Sequence, residues 1–408
     1  MGQESKMRLR MFENSPGQRH IEPPDHYMYR QDAPAHAINI IGAGTIGQEH
    51  MRVAQLLGRA RVHGIYDSVP HSVGVATEEF ARLSDAPLAT YESLEAACND
   101  DNVDALIVCT PNDTHFDVLK VAMASGKAIL LEKPMATRIG DAAAIVEMAA
   151  EYGAPLHVGL QYRFKAMYAE SEHEVLERQS LGPIHAINLF EHRPPFLDKV
   201  AQWNKFEARS GGTLVEKCCH YFDLINRLAN ARPVQVYASG AQSVNFLDFQ
   251  RDGHRADIMD NASVIINYAN GVRATFELNM FSPNFHEQLV VCGERGRLVA
   301  DERFETFHSR VTTTSLRIEH GEHAPSRNVS LAHAQDIEHS GHHGGTYFEH
   351  AAFLDSVEGR ASAAATPMEG FWSLVVGAAA QTSAAAGRPV DVREWLTEHQ
   401  LTSFAGEL

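Results

Sequence analysis

A two-domain α/β fold is predicted: a doubly wound parallel sheet first, then an α+β domain built on a large, mostly antiparallel sheet. Short apolar runs alternate strictly with helix-period segments from residue 36 to about 160, which is the pattern of a parallel sheet covered on both faces. Longer strand-like runs without intervening helices follow. A chain of 408 residues with 44% hydrophobic content is long enough for two cores. The expected division is an arm over 1–35, a first domain over 36–160 and a second over 161–408.

In chain order, residues 1–35 are rich in Arg, Pro, Met and Tyr with no apolar period. They read as a flexible tail or, given Tyr27, Met28 and Tyr29, as an arm laid on a neighbouring subunit. The strands of the first sheet are AINII (37–41), RVHGIYD (61–67), VDALIVCT (103–110), KAILLEKP (127–134) and APLHVGL (154–160). Between them, TIGQEHMRVAQLLG, VGVATEEFARL, THFDVLKVAMASG and RIGDAAAIVEMAAEYG carry helical spacing. The second sheet is expected from IHAINLFEH, VQVYASGAQ, ASVIINYANGVRATFELNM and EQLVVCGERGRLVAD, the third folded back at Asn270-Gly271. Residues 302–345, polar and holding seven histidines, read as a long excursion from that sheet, and the alanine-rich stretch from Tyr347 to Gly387 as helix.

A formal charge of −17 argues against nucleic acid or an anionic membrane as the main partner. No apolar run approaches the roughly 20 residues that cross a bilayer, and the start MGQESKMRLRMFENS lacks a secretory core. Five cysteines without a C-x-x-C pair suit reduced, buried thiols and a cytoplasmic address.

The stretch INIIGAGTIGQEH sets Gly42, Gly44 and Gly47 directly after a strand, with Thr45 and Ile46 opening a helix. That order suits a tight turn, close approach of backbone to a pyrophosphate, and phosphates resting on a helix N-terminus. A second strand ends twenty residues beyond Gly47, at Asp67, where a carboxylate accepts both adenosine ribose hydroxyls and repels a 2′-phosphate. NAD is therefore favoured over NADP.

Three further segments, CTPNDTH (109–115), LEKPMA (131–136) and VGLQYRF (158–164), fall at the ends of successive parallel strands. Together with the glycine loop running to His50 and with GGTLVEKCCHYFD (211–223), the chain from about residue 36 onward resembles the Gfo/Idh/MocA oxidoreductases. This is the family of glucose-fructose oxidoreductase and inositol dehydrogenase. The resemblance implies that Thr110, Pro111, Asn112, His115, Glu132 and Lys133 join the glycine loop around the cofactor. It matches the E-K-P lysine to Lys133 and the acid-x-x-x-His pair to Glu216 and His220, where better-known members carry Asp in place of Glu216.

Oxidising a secondary alcohol requires a base for the hydroxyl proton while hydride leaves the same carbon. In that scheme His220 is the base, Lys133 holds and polarises the oxygen, and Glu216, four residues before His220 on one helix face, orients the sugar or the lysine. Asp223 is expected to fix the helix or the imidazole. Adjacent cysteines on a helix diverge by about 100°, so Cys218 and Cys219 are expected to pack beside the active helix rather than bind metal, and no metal is expected elsewhere.

A flat apolar surface with directional polar groups grips sugars. Arg163, His192, Arg193, Trp203, Asn204 and Lys205 are the substrate-binding candidates, and the resemblance of GHHGGTYFEH (341–350) to an HGG element of sugar-acting members implies that His343, His342 or Tyr347 lines the pocket as well. The expected activity is oxidation of a sugar, glycoside or cyclitol hydroxyl. An NAD-dependent glycoside hydrolase of the same fold, possibly acting on an anionic sugar, is the alternative, and a non-enzymatic NAD sensor a third. A homodimer or homotetramer is expected.

Overall fold

The structure is a computed structural model and describes residues 34–304, 312–322 and 324–408. The expected arm, with Tyr27, Met28 and Tyr29, lies outside the described residues save for its last two positions, and so do His308 and His323.

Six strands, β1 (His36–Ile41), β2 (Ala60–Tyr66), β3 (Ala89–Thr90), β4 (Ala105–Val108), β5 (Ala128–Glu132) and β6 (Leu156–Gly159), form one sheet in the order β3-β2-β1-β4-β5-β6. Every pairing in it is parallel. β4 and β5 are buried at every position, because helices cover both faces and an all-apolar strand has no solvent side to serve. The strand order reverses between β1 and β4, which opens a crevice at the carboxyl ends of these strands. The helix Thr45–Leu57 rises from that edge and stops at Gly58 in a left-handed cap.

The second sheet has nine strands in the order β16-β15-β14-β13-β7-β12-β11-β8-β17. In chain order these are β7 (Ile184–His192), β8 (Pro233–Ala241), β11 (Asn261–Tyr268), β12 (Arg273–Asn279), β13 (His286–Gly293), β14 (Gly296–Phe304), β15 (Thr312–Glu319), β16 (Arg327–Leu331) and β17 (Val390–Asp391), with a small ribbon β9 (Gln250–Arg251) and β10 (His254–Arg255) apart from it. All pairings are antiparallel except β7 with β12. Burial alternates along its strands. One face therefore packs on the helices Cys219–Ala229 and Pro367–Ala386, and the longer of these opens with a Thr366/Glu369 capping box.

Among the described residues of 302–345, expected as a polar excursion, three strands stay in the sheet. β14 runs to Phe304, and β15 and β16 extend the same sheet to its edge, with Thr314, Leu316 and Ile318 facing inward. Alternation, not composition, marks an edge strand whose outer face is wet.

Candidate active site

The glycine turn closes the crevice for reasons of contact. Gly42 has φ +105, and a Cβ there would lie 2.6 Å from the Cys109 carbonyl carbon; one on Gly47 would sit 2.0 Å from the Gly42 oxygen. Gly44 differs, since a Cβ there meets nothing within 4 Å. The helix that starts at Thr45 and Ile46 has no side-chain cap and no acid in its first turn. Free backbone donors beside open space fit a dinucleotide pyrophosphate. Asp67 accepts from the N–H groups of Ala43 and Val69, both at 2.8 Å, which anchors its carboxylate against the glycine turn.

Two of the residues expected around the cofactor have side chains tied to backbone carbonyls. Both ring nitrogens of His115 meet backbone carbonyls, Pro134 at 2.8 Å and Thr110 at 2.9 Å. Asn112 is buried and donates to the Ser210 carbonyl at 3.1 Å, tying the crevice edge to the second domain. Thr110 and Pro111 stay partly open at the end of β4. Glu132 accepts from His50 Nε2 at 3.1 Å and from the Lys133 N–H at 3.0 Å. His50 in turn meets His350 at 2.7 Å, so a buried Glu132–His50–His350 line stands behind the lysine.

Lys133, joined to Pro134 by a cis peptide, reaches the segment holding Glu216 and His220. That segment is not one continuous helix. It breaks at Lys217 and Cys218 into Thr213–Glu216 and Cys219–Ala229, and the Glu216 carbonyl at the break accepts from Lys133 Nζ at 3.2 Å. The Glu216 carboxylate lies 3.7 Å from the same ammonium through Oε1, while its buried Oε2 has no hydrogen-bond partner among the described residues. Burial alone would raise Glu216 and lower Lys133. The surrounding charges outweigh it: Lys133, Lys199, Lys217 and Arg193 hold the carboxyl below its ordinary value, and Glu216 first among its neighbours holds the ammonium above its own.

His220 is 1% exposed, and its Nδ1 has no partner among the described residues. Its ring stacks on Tyr162 at 4.1 Å between centroids and 10° between planes. Burial first, then Lys133 and Lys217, hold its pKa well below 6.5. A neutral imidazole beside an ammonium and an open carboxylate oxygen can take a proton from a hydroxyl that the ammonium polarises. Tyr162, which residue types alone did not single out, is the ring on which the His220 imidazole rests; Lys217 Nζ donates to its hydroxyl at 2.5 Å and pairs with Glu191 at 3.1 Å.

Cys218 and Cys219 are buried, and burial pushes the first thiol well above 9 and the second up to about 12. They remain protonated packing groups.

Several expected substrate contacts are committed elsewhere. Arg163 is buried and holds Asp223 through two bonds of 2.6 Å, with Glu369 beside it; Asp223 therefore fixes that arginine, not the imidazole. His192 falls on the outer face of the second sheet, stacked on Phe190 and 3.3 Å from Glu277, because strand alternation sends its neighbour Glu191 inward. His343 pairs with Glu302 at 3.2 Å, packs on Phe285, and is pushed down to about 4 by burial. His342 holds Glu49 of the nucleotide helix at 2.7 Å, and Tyr347 is buried in the core beneath the parallel sheet. Asn204 donates to the Leu197 carbonyl at 3.1 Å and Lys205 pairs with Asp198 at 2.7 Å, so both pin a loop. Trp203 keeps 7% exposure. Arg193 stays near the site, 3.6 Å from Glu191.

A cofactor crevice of this form, at the strand ends where Lys133 follows β5, suits a nicotinamide-dependent oxidoreductase. Comparison with known proteins agrees and is more specific. Residues 37–160 match the NAD-binding Rossmann fold of the Gfo/Idh/MocA oxidoreductase family, and residues 173–392 match that family's C-terminal alpha/beta domain. The chain belongs to this family.

Its relatives include inositol 2-dehydrogenase of Rhizobium meliloti (strain 1021), 27% identical over 65% of this chain and 75% of that protein. Another is scyllo-inositol 2-dehydrogenase (NAD(+)) of Bacillus subtilis (strain 168), 25% identical over 86% and 95%. Among solved structures, scyllo-inositol dehydrogenase from Lactobacillus casei with bound NAD(H) and scyllo-inositol superposes with a TM-score of 0.67 at 18% identity, covering 88% of this chain and 99% of that one. At that identity the likeness is one of fold.

Proposed function

We propose that the protein oxidises a secondary hydroxyl of a sugar or cyclitol with NAD. The observation that carries this reading is the neutral, buried His220 stacked on Tyr162 beside Lys133 and Glu216. The bound nicotinamide would supply the hydride acceptor. The chain's own groups divide the rest of the work. Lys133 Nζ donates to the substrate oxygen and stabilises the charge that builds there. His220 takes the hydroxyl proton as the C–H pair leaves. Glu216 Oε2, unpartnered and ionised, accepts from a neighbouring hydroxyl and so orients a polyol. The dehydrogenases of inositols among the relatives support a polyol substrate.

The Asp67 carboxylate beside the glycine turn, with no cation in the following Ser68 and Val69, supports NAD over NADP. Asp67→Ala is expected to reduce the NAD:NADP ratio of kcat/KM by at least about tenfold, equivalent to ~1.4 kcal/mol; an unchanged ratio removes Asp67 from cofactor selection. Five free cysteines and a helix set without a membrane-length apolar span among the described residues suit a cytoplasmic enzyme. Tyr237 and Ile265, paired across β8 and β11 and left 38% and 46% exposed on the outer sheet face, support a homo-oligomer that covers them.

A panel of sugars and cyclitols with NAD and NADP tests the reaction. Stoichiometric absorbance at 340 nm is expected with at least one polyol. Cleavage of a chromogenic glycoside without that rise would replace this reading with redox-assisted hydrolysis.

A further inference from the structure

The irregular chain between β7 and the kinked turn Val200–Lys205 is held at several points. The Arg193 N–H donates to Asn279 at 2.8 Å, and Leu197 and Asp198 are pinned by Asn204 and Lys205 at 3.1 and 2.7 Å. Fixing those two residues delivers the next one, Lys199, to the active site. Its Nζ lies 3.7 Å from Glu216 Oε1, the oxygen that Lys133 meets at the same distance, and 4.6 Å over the Trp203 ring.

A separation of 3.7 Å is longer than a hydrogen bond. The ammonium is largely enclosed, with a 27% exposed side chain, and among the described residues it has no acceptor closer than the 3.7 Å of Glu216 Oε1. Burial lowers its pKa, and Lys133 nearby adds to that despite the pull of Glu216. An enclosed ammonium without a close acceptor is stabilised by an anion that brings one.

The neighbouring cations point the same way. Four of them, Lys133, Lys199, Lys217 and Arg193, act on Glu216. Lys133 donates to the Glu216 carbonyl, Lys217 to the Tyr162 hydroxyl and Arg193 to the Pro194 carbonyl, which leaves Lys199 for an incoming carboxylate.

We propose that the substrate is a polyol bearing a carboxylate, a sugar acid of the uronate type, and that Lys199 receives that carboxylate with the Trp203 indole beneath it. The inference rests on the polyol dehydrogenase reading and narrows it.

The test compares D-glucose with D-glucuronate and D-galactose with D-galacturonate, alongside myo-inositol, for the wild type, Lys199→Met and Lys199→Arg. NADH formation is one readout, and calorimetric binding of each uronate to the NADH-loaded protein is the other. At least one uronate should exceed its neutral partner about tenfold or more in kcat/KM. Lys199→Met should erase that preference mainly through KM and weaken uronate binding by a similar factor, ~1.4 kcal/mol, whereas Lys199→Arg should keep most of both. Turnover of neutral polyols with no advantage for the acids overturns this inference and leaves the dehydrogenase reading intact. Equal losses on neutral and acidic members in Lys199→Met overturn it as well, because Lys199 then acts only by holding Glu216. No reduced cofactor from any polyol overturns the dehydrogenase reading itself, and uronate binding that ignores Lys199 overturns the assignment of its partner.

Discussion

His220→Ala is expected to lower kcat by about 10²–10⁴-fold, the usual contribution of a positioned base, while NADH binding stays within about twofold, well under the ~1.4 kcal/mol of a tenfold change. The separation follows from placement: His220 belongs to the C-terminal alpha/beta domain, where its imidazole stacks on Tyr162, and the cofactor is expected to rest on the glycine turn and Asp67 in the Rossmann domain. The pH profile gives an independent check. Burial and the charges of Lys133 and Lys217 hold His220 well below 6.5. A base with a lowered pKa stays unprotonated, and competent, as pH falls through 6.5. The acid limb of kcat/KM should therefore lie below that value, and the positive nicotinamide of oxidised cofactor pushes it lower still. Lys133 is raised above its ordinary range and stays charged, so it adds no alkaline limb under pH 10. An acid limb at or above 6.5 would mean that another group is the base.

Much of the nucleotide half was legible because its demands are local. A strand, a turn with Gly42, and a helix mouth at Thr45 follow one another within a few residues, and the spacing to Asp67 is set by one crossover. The proposed catalytic segment was legible in its residue types and misread in its geometry. Spacing predicts one helix face for Glu216 and His220, whereas the break at Lys217 is what makes the Glu216 carbonyl available to Lys133.

Substrate contacts were the least legible. Arg163, Asn204 and Lys205 look like ligand groups by type, but type does not reveal that Asp223, Leu197 and Asp198 already hold them. Tyr162 and the His50–His350 pair are brought to the proposed site by contacts across 58 and 300 positions of chain, which no local pattern encodes. His192 could have been assigned correctly: alternation along IHAINLFEH sets it opposite the inward-facing Leu189 and Glu191.

Lys165→Met should be among the most destabilising single substitutions. The lysine is fully buried, and its ammonium meets Glu287 on β13 and, at 2.6 Å, Glu302 on β14. Tyr168 and Tyr221 donate to Glu287 at 3.1 and 2.6 Å, so the cluster joins the second sheet to the helix that carries His220. Methionine fills much of the same volume and leaves two buried carboxyls side by side without the cation they share. Removing one partner of a buried ion pair costs about 3–5 kcal/mol, and a loss of that size should appear in urea unfolding as a lower midpoint at pH 7. Its pH dependence has a definite sign. Burial already raises Glu287 despite Lys165, and deleting the ammonium raises it further. A carboxyl whose folded pKa is raised contributes stability at low pH and loses it as pH climbs through that pKa. The gap between Lys165→Met and wild type should therefore narrow from pH 7 to pH 5. Adding Glu287→Gln and Glu302→Gln to the methionine variant should recover most of the loss at pH 7, because it removes the uncompensated charges rather than restoring the pair. A gap that stays constant with pH would assign the effect to packing around Tyr168 and Phe285 instead of to charge.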